Sequence, residues 1–133
     1  MSSIKTDTLT PAKRGLILFC HGSPDPEWAR PFVTLRDIVA AKSPEMAVEL
    51  AYLAPAQPDF EAVAAQMADS DVKDVAVVPV FFARGSHVKK DLPQLVAAAI
   101  ERHGMHFRVL PTMGESEPML SAIADWVVST THR

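Results

Sequence analysis

Residues 16–23 are Leu-Ile-Leu-Phe-Cys-His-Gly-Ser, an apolar run that ends abruptly in a polar loop. An uninterrupted apolar run of this kind is typical of a strand that is covered on both faces. Three further apolar runs begin near Ala47, Val75 and Phe107, so that successive starts lie 31, 28 and 32 residues apart. About thirty residues is the length of one strand, one helix and their turns. This spacing predicts an α/β domain with a mainly parallel sheet, with strands at Leu16–Cys20, Ala47–Ala54, Val75–Val80 and Phe107–Leu110.

Helix start signals lie between the apolar runs. Asp and Ser are favoured immediately before a helix, and proline is favoured in its first turn. The predicted starts are Asp25-Pro26, Pro58-Asp59, Asp91 and Ser116-Glu117-Pro118, and the predicted end of the third helix is Gly104. The predicted inward faces are Trp28, Phe32, Leu35, Ile38 and Val39, then Phe60, Val63, Ala64 and Met67, then Leu92, Leu95, Val96, Ala99 and Ile100, and finally Leu120, Ile123 and Val127.

The order of the strands follows from their polarity. The first and third predicted strands are continuously apolar, whereas Glu49 interrupts the second and Arg108 interrupts the fourth. Strands buried on both faces are continuously apolar, so the two interrupted strands suit the edges of the sheet. The predicted fold is therefore a three-layer αβα arrangement with strand order 2-1-3-4, the flavodoxin-like half-sheet, in which every crossover can be right-handed.

The composition limits the classes of function. The 133 residues are 48% apolar, and 13 Lys and Arg against 16 Asp and Glu give a net charge of −3, so we expect no nucleic-acid partner that needs a broadly basic surface. No apolar run approaches the roughly 18 residues of a membrane span, and we expect no membrane partner. A single cysteine excludes an intrachain disulfide framework. We expect a cytoplasmic protein with a flexible leader at residues 1–13 and one domain at residues 14–133.

Two histidines follow the two strands that are predicted to be central. In an open α/β sheet, ligands bind outside the carboxyl ends of the strands where the strand order reverses, here between the first and third strands. His21 follows the first strand directly, and His87 follows the third in a predicted loop, each near a glycine, Gly22 or Gly85, that permits a sharp turn. Two imidazoles at one crevice can bind a divalent metal or act as acid and base near neutral pH. A lone loop histidine is more often solvated, but two at one switch point favour a functional site.

The other candidate functional residues are weaker. His103 and His106 lie at the opposite end of the predicted sheet, and Cys20 is expected to be a small buried residue. No phosphate-binding glycine loop is present, and Ser23 lacks the surroundings of a hydrolase nucleophile. Four cationic side chains lie in the segments that follow the two central strands, which indicates either an anionic ligand or a solvated surface. They are Arg30, Arg84, Lys89 and Lys90.

Two stretches have the character of motifs. They are residues 19–32, Phe-Cys-His-Gly-Ser-Pro-Asp-Pro-Glu-Trp-Ala-Arg-Pro-Phe, and residues 78–93, Val-Pro-Val-Phe-Phe-Ala-Arg-Gly-Ser-His-Val-Lys-Lys-Asp-Leu-Pro. Together they resemble the two motifs of the single-domain class II tetrapyrrole chelatases, the short CbiX-type sirohydrochlorin chelatases. The resemblance runs from about Gly15 to Val128.

This resemblance implies an enzyme that inserts Co²⁺, Fe²⁺ or Ni²⁺ into sirohydrochlorin, with no ATP or other nucleotide. It implies that His21 and His87 hold the metal and assist removal of two protons, and that the short chain forms a homodimer with the macrocycle in a cleft. The carboxylates of the macrocycle would suit the nearby cations. The substrate-binding residues expected from these motifs are Ser23, Arg30, Arg84, Gly85, Ser86, Lys89 and Lys90.

The sequence departs from the family pattern at two positions. Many relatives carry Glu at the end of the second strand, where this chain has Ala54, and Arg after His-Gly-Ser, where it has Pro24. Asp59 or Glu61 could supply the missing carboxylate. An alternative function is therefore a non-catalytic metal- or tetrapyrrole-binding protein on the same fold. A histidine-dependent phosphoryl-transfer enzyme is a third possibility, which the lack of a phosphate loop disfavours.

Overall fold

The computed structural model describes residues 13–83 and 85–132, except for the side chains of Ser86 and His87. The chain alternates strands and helices as predicted. The strands are β1 (Arg14–Cys20), β2 (Met46–Tyr52), β3 (Asp74–Pro79) and β4 (His106–Val109), and the helices are α1 (Pro26–Lys42), α2 (Phe60–Asp69), α3 (Ser86–His103) and α4 (Glu117–Thr131). A short 3₁₀ turn that the sequence did not predict, Met113–Glu115, precedes α4. The predicted leader falls, up to residue 12, outside the described residues.

The four strands form one parallel sheet of order β2-β1-β3-β4, which confirms the predicted order. Every strand pair in it is parallel. In the β1–β3 register, Phe19 lies beside Pro79, so the carboxyl ends of these two strands are neighbours. The segments that follow these two strands, which carry the candidate histidines, therefore leave the same edge of the sheet.

Helices cover the sheet on both faces, which makes the three predicted layers. On one face, α2 and α3 bury residues such as Ile17, Phe19 and Val77. On the other face, α1 packs over residues such as Leu18 and Leu50. The alternation of side chains along a strand separates the two clusters. The buried ring of Phe19 joins the first of them, meeting those of Phe60 and Phe81 edge-on. Each such aromatic pair stabilises by about 0.5–1.5 kcal/mol beyond the area it buries.

Three of the four predicted helix starts are confirmed by their caps. The Asp25 carboxylate accepts a hydrogen bond of 3.0 Å from the amide of Glu27. The Asp59 carboxylate accepts one of 3.0 Å from the amide of Ala62, and the Ser116 hydroxyl accepts one of 3.3 Å from the amide of Met119. These bonds satisfy first-turn amides that have no partner inside the helix.

The predicted start of the third helix was wrong. α3 begins at Ser86, not after Asp91, and Gly85 is its N-cap. The buried residues Val88 and Leu92 are four apart and share one inward face, which extends the helix backwards. Asp91, the predicted start, and Pro93 both lie inside α3. His87, Lys89 and Lys90 are thus in the first turns of a helix and not in a loop.

Some predicted inward residues face outward. Ile38 of α1 is 48% exposed and Ile100 of α3 is 45% exposed, because their neighbours Val39 and Ala99 point to the sheet. The predicted face of α4 is also exposed, and none of the residues of this helix is buried. Among the described helices, none combines the length and apolarity that a membrane span requires.

Candidate functional site

A cavity of about 690 Å³ opens at the carboxyl end of the sheet. Its walls are the loop that joins β1 to α1 and the loop that joins β2 to α2. The lining residues are His21, Gly22, Ser23, Pro24, Asp25, Pro26, Trp28, Ala29, Tyr52, Leu53, Ala54, Pro55, Ala56 and Gln57. A concave, mostly apolar pocket with a few polar groups is the usual form of a small-molecule site.

The cavity lies on the β2 side of His21, whereas the sequence predicted a crevice between the first and third strands. The end of β1 also has contacts on its β3 side. The amide of Val80 donates to the carbonyl oxygen of Phe19 at 2.8 Å, which continues the pairing of β1 with the chain beyond β3. The buried Phe81 ring meets the His21 ring edge-on at 5.0 Å.

His21 is held in place by aromatic neighbours on two sides. Its imidazole is exposed at the rim of the cavity and rests against Phe81. Its carbonyl oxygen accepts a hydrogen bond of 3.0 Å from the Trp28 indole nitrogen Nε1. The backbone of His21 is therefore tied to α1, and its imidazole has access to solvent, as an exchangeable metal ligand or a proton acceptor requires.

The β1–α1 loop packs closely on the opposite wall. A Cβ added at Gly22 would overlap the Cβ of Ala56 in the β2–α2 loop. The close approach of the two loops thus requires a glycine at this position. Gly85 has an extended backbone with φ −70°, a conformation open to any residue, and no described atom lies within 4 Å of an added Cβ.

The β2–α2 loop folds back over the end of β1. The amide of Leu53 donates to the carbonyl oxygen of Cys20 at 2.9 Å, and the amide of Tyr52 donates to that of Pro58 at 2.9 Å. This places the Tyr52 ring and the exposed Ala54 in the cavity wall. The sequence analysis placed Tyr52 in a strand and Trp28 on a helix face but did not predict that both line the cavity. Hydrophobic periodicity shows the element to which a residue belongs, and not which loop lies over it.

The carboxylates proposed to replace a missing glutamate are occupied elsewhere. Asp59 caps α2 and accepts a hydrogen bond of 3.2 Å from the Gln57 side chain. Glu61 forms an ion pair with Arg102 on α3. Neither lines the cavity. In the part of the chain that the structure describes, no three His, Cys, Asp or Glu side chains form a group able to hold a metal ion.

The second candidate histidine, His87, lies in the first turn of α3, directly beyond β3. Its side chain, that of Ser86 and the whole of Arg84 fall outside the described residues. Lys89 and Lys90 are exposed in the first two turns of α3. These two lysines and His21 lie in segments that begin at the same edge of the sheet.

Two other polar candidates make local contacts. The Arg30 guanidinium forms an ion pair of 3.0 Å with Glu27 on α1, so its charge is already compensated. The Ser23 hydroxyl accepts a hydrogen bond of 3.2 Å from the amide of Asp25 and thereby shapes the loop before α1. Ser23 still lines the cavity, whereas Arg30 does not.

His103 and His106 lie at the opposite end of the sheet, as predicted. The imidazole nitrogen Nδ1 of His106 is 3.6 Å from a carboxylate oxygen of Asp74, and both side chains are exposed. His103 is in the last turn of α3, where a positive charge is favourable against the helix dipole. Neither residue lines the cavity at the carboxyl end.

Cys20, the last residue of β1, is fully buried under α1, as predicted. Burial raises the pKa of its thiol from the ordinary 9.0 to about 12. The pKa of the neighbouring Tyr52 phenol is also raised, first by burial and then by Cys20, against a lowering by Arg36. Both groups are therefore neutral near pH 7, and neither supplies a base to the cavity.

Stability should fall in alkaline solution because of Cys20. Above pH 9 the unfolded chain releases a thiol proton that the folded chain keeps up to about pH 12, so each pH unit in that window costs up to about 1.4 kcal/mol. Urea unfolding at about pH 8 and about pH 10.5 measures the fall. The Cys20→Ala variant should lose less stability over the same interval. An equal loss in both proteins would show that Cys20 is not its source.

Comparison with known proteins places these features in a family. The CbiX family model matches residues 15–130. A sirohydrochlorin cobaltochelatase from Methanosarcina acetivorans is 31% identical over 85 residues, 64% of this chain and 65% of that protein. One from Sulfurisphaera tokodaii is 26% identical over 113 residues, 85% of this chain and 90% of that protein. The matched segment thus spans slightly less than two thirds of the Methanosarcina relative.

Solved structures share the fold. The crystal structure of a cobalamin biosynthesis CbiX protein from Marinobacter aquaeolei has a TM-score of 0.77 and 30% identity, covering 88% of this chain and 96% of that one. SirB from Bacillus subtilis, solved with Fe³⁺, has a TM-score of 0.75 and 17% identity, covering 91% of this chain but 48% of that one. At that identity SirB shows the fold alone.

Proposed function

The chain belongs to the CbiX family, and from that premise we propose that it is a sirohydrochlorin chelatase, a lyase that inserts a divalent metal into the tetrapyrrole without ATP. The metal is a substrate, either Co²⁺ or Fe²⁺, with Ni²⁺ as a further possibility. The observation that carries the proposal is the cavity with an exposed imidazole, His21, at its rim. The relatives that match the chain are named cobaltochelatases of sirohydrochlorin, which gives the substrate class.

The chemistry of metallation fits two imidazoles. One divalent cation replaces two pyrrole protons, so the reaction needs metal ligands that release the ion and a base with a pKa near 7. We propose that His21 and His87 bind the metal and that one of them accepts a proton. The parallel pairing of β1 and β3 supports this, because it brings the starts of both loops to one edge of the sheet. Two ligands leave coordination positions for water and for the macrocycle nitrogens.

The walls of the cavity suit a flat, acid-rich macrocycle. Trp28 and Tyr52 offer aromatic faces, and the lining is mostly apolar. We propose that Lys89, Lys90 and Arg84 bind the carboxylates at the edge of the ring. The proposed set also includes Ser23 of the β1–α1 loop, and Gly85 and Ser86 at the start of α3. Arg30 contributes less, since Glu27 already pairs with it.

One observation favours the non-catalytic alternative. Ala54 stands in the cavity wall where many relatives have Glu, and the described carboxylates Asp59 and Glu61 are engaged elsewhere. A protein that lacked the carboxylate chemistry could bind metal or tetrapyrrole without turnover. The alternative is therefore a binding protein on the same fold.

The proposal includes a homodimer in the cytoplasm. The fold of this chain covers 48% of the SirB chain, so one such domain corresponds to about half of that longer protein. Two copies of a short chain supply the same number of domains as one long chain. The cytoplasmic location and the absence of nucleic-acid and membrane partners stay predictions.

A chelation assay separates the chelatase from the binder. Purified protein is mixed with excess sirohydrochlorin and with Co²⁺, Fe²⁺ or Ni²⁺, and the absorption spectrum of the macrocycle is followed without nucleotide. We expect many turnovers per site with at least one metal, above the rate of a protein-free mixture. A spectral change that stops at one equivalent per chain would identify the binding protein, and no change with any metal would contradict both.

A further inference from the structure

Three successive peptide carbonyls at the end of β1 are held by three different parts of the chain. The carbonyl oxygen of Phe19 accepts a hydrogen bond of 2.8 Å from the first amide after β3. That of Cys20 accepts one of 2.9 Å from an amide of the β2–α2 loop. The next carbonyl, that of His21, accepts its bond of 3.0 Å from a side chain, the indole of Trp28. Just beyond the strand, the indole thus takes over the role that backbone pairing has inside the sheet.

The indole of Trp28 is anchored on the α1 side. Trp28 lies in the first turn of α1, and its amide donates to the carbonyl oxygen of the N-cap residue Asp25 at 3.0 Å. Its ring centroid is 5.9 Å from that of Phe32, which packs on the buried cluster that contains Leu18. The hydrogen bond to His21 therefore ties the loop that carries this histidine to a helix that is packed on the sheet.

The same ring forms part of the cavity wall. Trp28 lines the cavity, as does His21, and 45% of the Trp28 surface is exposed. Tryptophan suits both roles, because its Nε1–H group is a donor at the edge of a large apolar ring. A phenylalanine at this position could line the cavity but could not hold the carbonyl group. A substitution can therefore remove the hydrogen bond while it keeps an aromatic wall.

We propose that Trp28 is a positioning residue for His21, and that its indole sets where this imidazole stands relative to His87 and to the macrocycle. Metal insertion needs the ligands and the macrocycle at a definite separation, and a misplacement of about 1 Å can cost roughly 100-fold in rate. The peptide that the indole holds is followed directly by Gly22, which packs against Ala56 with no room for a Cβ. The inference rests on the proposed role of His21 as a metal ligand and names the residue that orients it.

The place of the hydrogen bond favours positioning over a purely structural role. The accepting carbonyl belongs to His21 itself, and the donor lies seven residues further along the chain, so the bond closes the whole β1–α1 loop. Both residues are exposed, and water can satisfy an exposed carbonyl group when the indole is replaced. Loss of the bond should therefore change the path of the loop and leave the core of the protein intact.

A double-mutant cycle on Co²⁺ binding, followed by titration without the macrocycle, tests the inference. Trp28→Phe should raise the dissociation constant for Co²⁺ by about 10-fold, the lower end of the roughly 10–100-fold loss that follows removal of a group that orients a metal ligand. In the His21→Ala background, Trp28→Phe should change this constant by less than about twofold, because the residue that the indole positions is gone. Equal effects in the two backgrounds, or no effect in either, would overturn the inference.

The other tryptophan of the chain provides the matched control. Trp126 does not line the cavity, so Trp126→Phe should keep the wild-type Co²⁺ affinity and metallation rate.

With sirohydrochlorin, the Trp28→Phe variant should lose about 10-fold in kcat, with KM changed by less than about twofold. A rise in KM alone would show that the ring acts only as a wall and would overturn positioning. Wild-type protein that binds Co²⁺ without turnover would overturn the chelatase proposal, and the Co²⁺ cycle would still decide the inference. Wild-type protein that binds no Co²⁺ would overturn both.

Discussion

Replacement of His87 by alanine should lower the rate of metal insertion by at least about 100-fold, since a general base contributes roughly 10²–10⁴-fold to a proton transfer. In the proposed mechanism the substitution removes one of two metal ligands as well, so the loss should lie at the upper end. The fold should survive, because alanine is the best helix former and His87 lies in the first turn of α3. Initial rates of the spectral change with Co²⁺, together with urea midpoints, measure the two effects.

Matched histidine variants make this result specific. His21→Ala should cause a similar loss, and the double variant should be little slower than either single one, because residues that act as a unit are not additive. His103→Ala, at the other end of the sheet, should keep the wild-type rate. Full activity in His87→Ala would remove this histidine from the mechanism. A loss of activity accompanied by unfolding in His87→Ala and His21→Ala would instead show a structural effect.

Gly22→Ala should both destabilise the protein and open its cavity. The new Cβ would overlap the Cβ of Ala56, and non-bonded carbons need about 3.5–4.0 Å, so the β2–α2 loop must move by roughly 1.5 Å. Overpacking of this kind costs about 1–3 kcal/mol. Because the two loops are the walls of the cavity, a displacement of this size should also lower the metallation rate by up to about 100-fold. Urea midpoints and initial rates measure the two losses.

Two further variants separate crowding from other causes. Ala56→Gly removes the methyl group that the new Cβ meets, so the double variant Gly22→Ala/Ala56→Gly should regain most of the lost stability and rate. Gly85→Ala adds a Cβ that would lie more than 4 Å from every atom the structure describes outside its chain neighbours, and the stability of this variant should change by less than about 1 kcal/mol, the usual cost of a poorer N-cap. A double variant no better than Gly22→Ala would show that Ala56 is not the obstacle.

Local patterns in the sequence were enough to predict the order of the strands and the starts of three helices. The polar residues Glu49 and Arg108 marked the edge strands, and the order β2-β1-β3-β4 followed. Asp25, Asp59 and Ser116 marked three helix starts, because a cap is made by atoms two or three residues apart. His21 could be assigned to the carboxyl edge of the sheet for the same reason, since it directly follows a strand.

Features that depend on distant segments could not be predicted in this way. The start of α3 was missed because Val88 joins a core built from other parts of the chain, whereas the cap signal at Asp91 is local. The cavity lies between the β1–α1 and β2–α2 loops, and the position of one loop against another depends on segments some thirty residues apart. In the same way, periodicity predicted the apolar face of α4 but could not show that it is left uncovered.

The sequence by itself determined the alternation of strands and helices, their order in the sheet and the edge at which the candidate histidines lie. These follow from hydrophobic periodicity and caps, which are short-range properties of the chain. Only the tertiary structure decided which loops form the cavity, why position 22 must be glycine, and that α4 projects with an open apolar face. Those features depend on contacts between segments that are remote in the sequence. In a close-packed protein the position of each segment limits that of its neighbours, which the local sequence does not show.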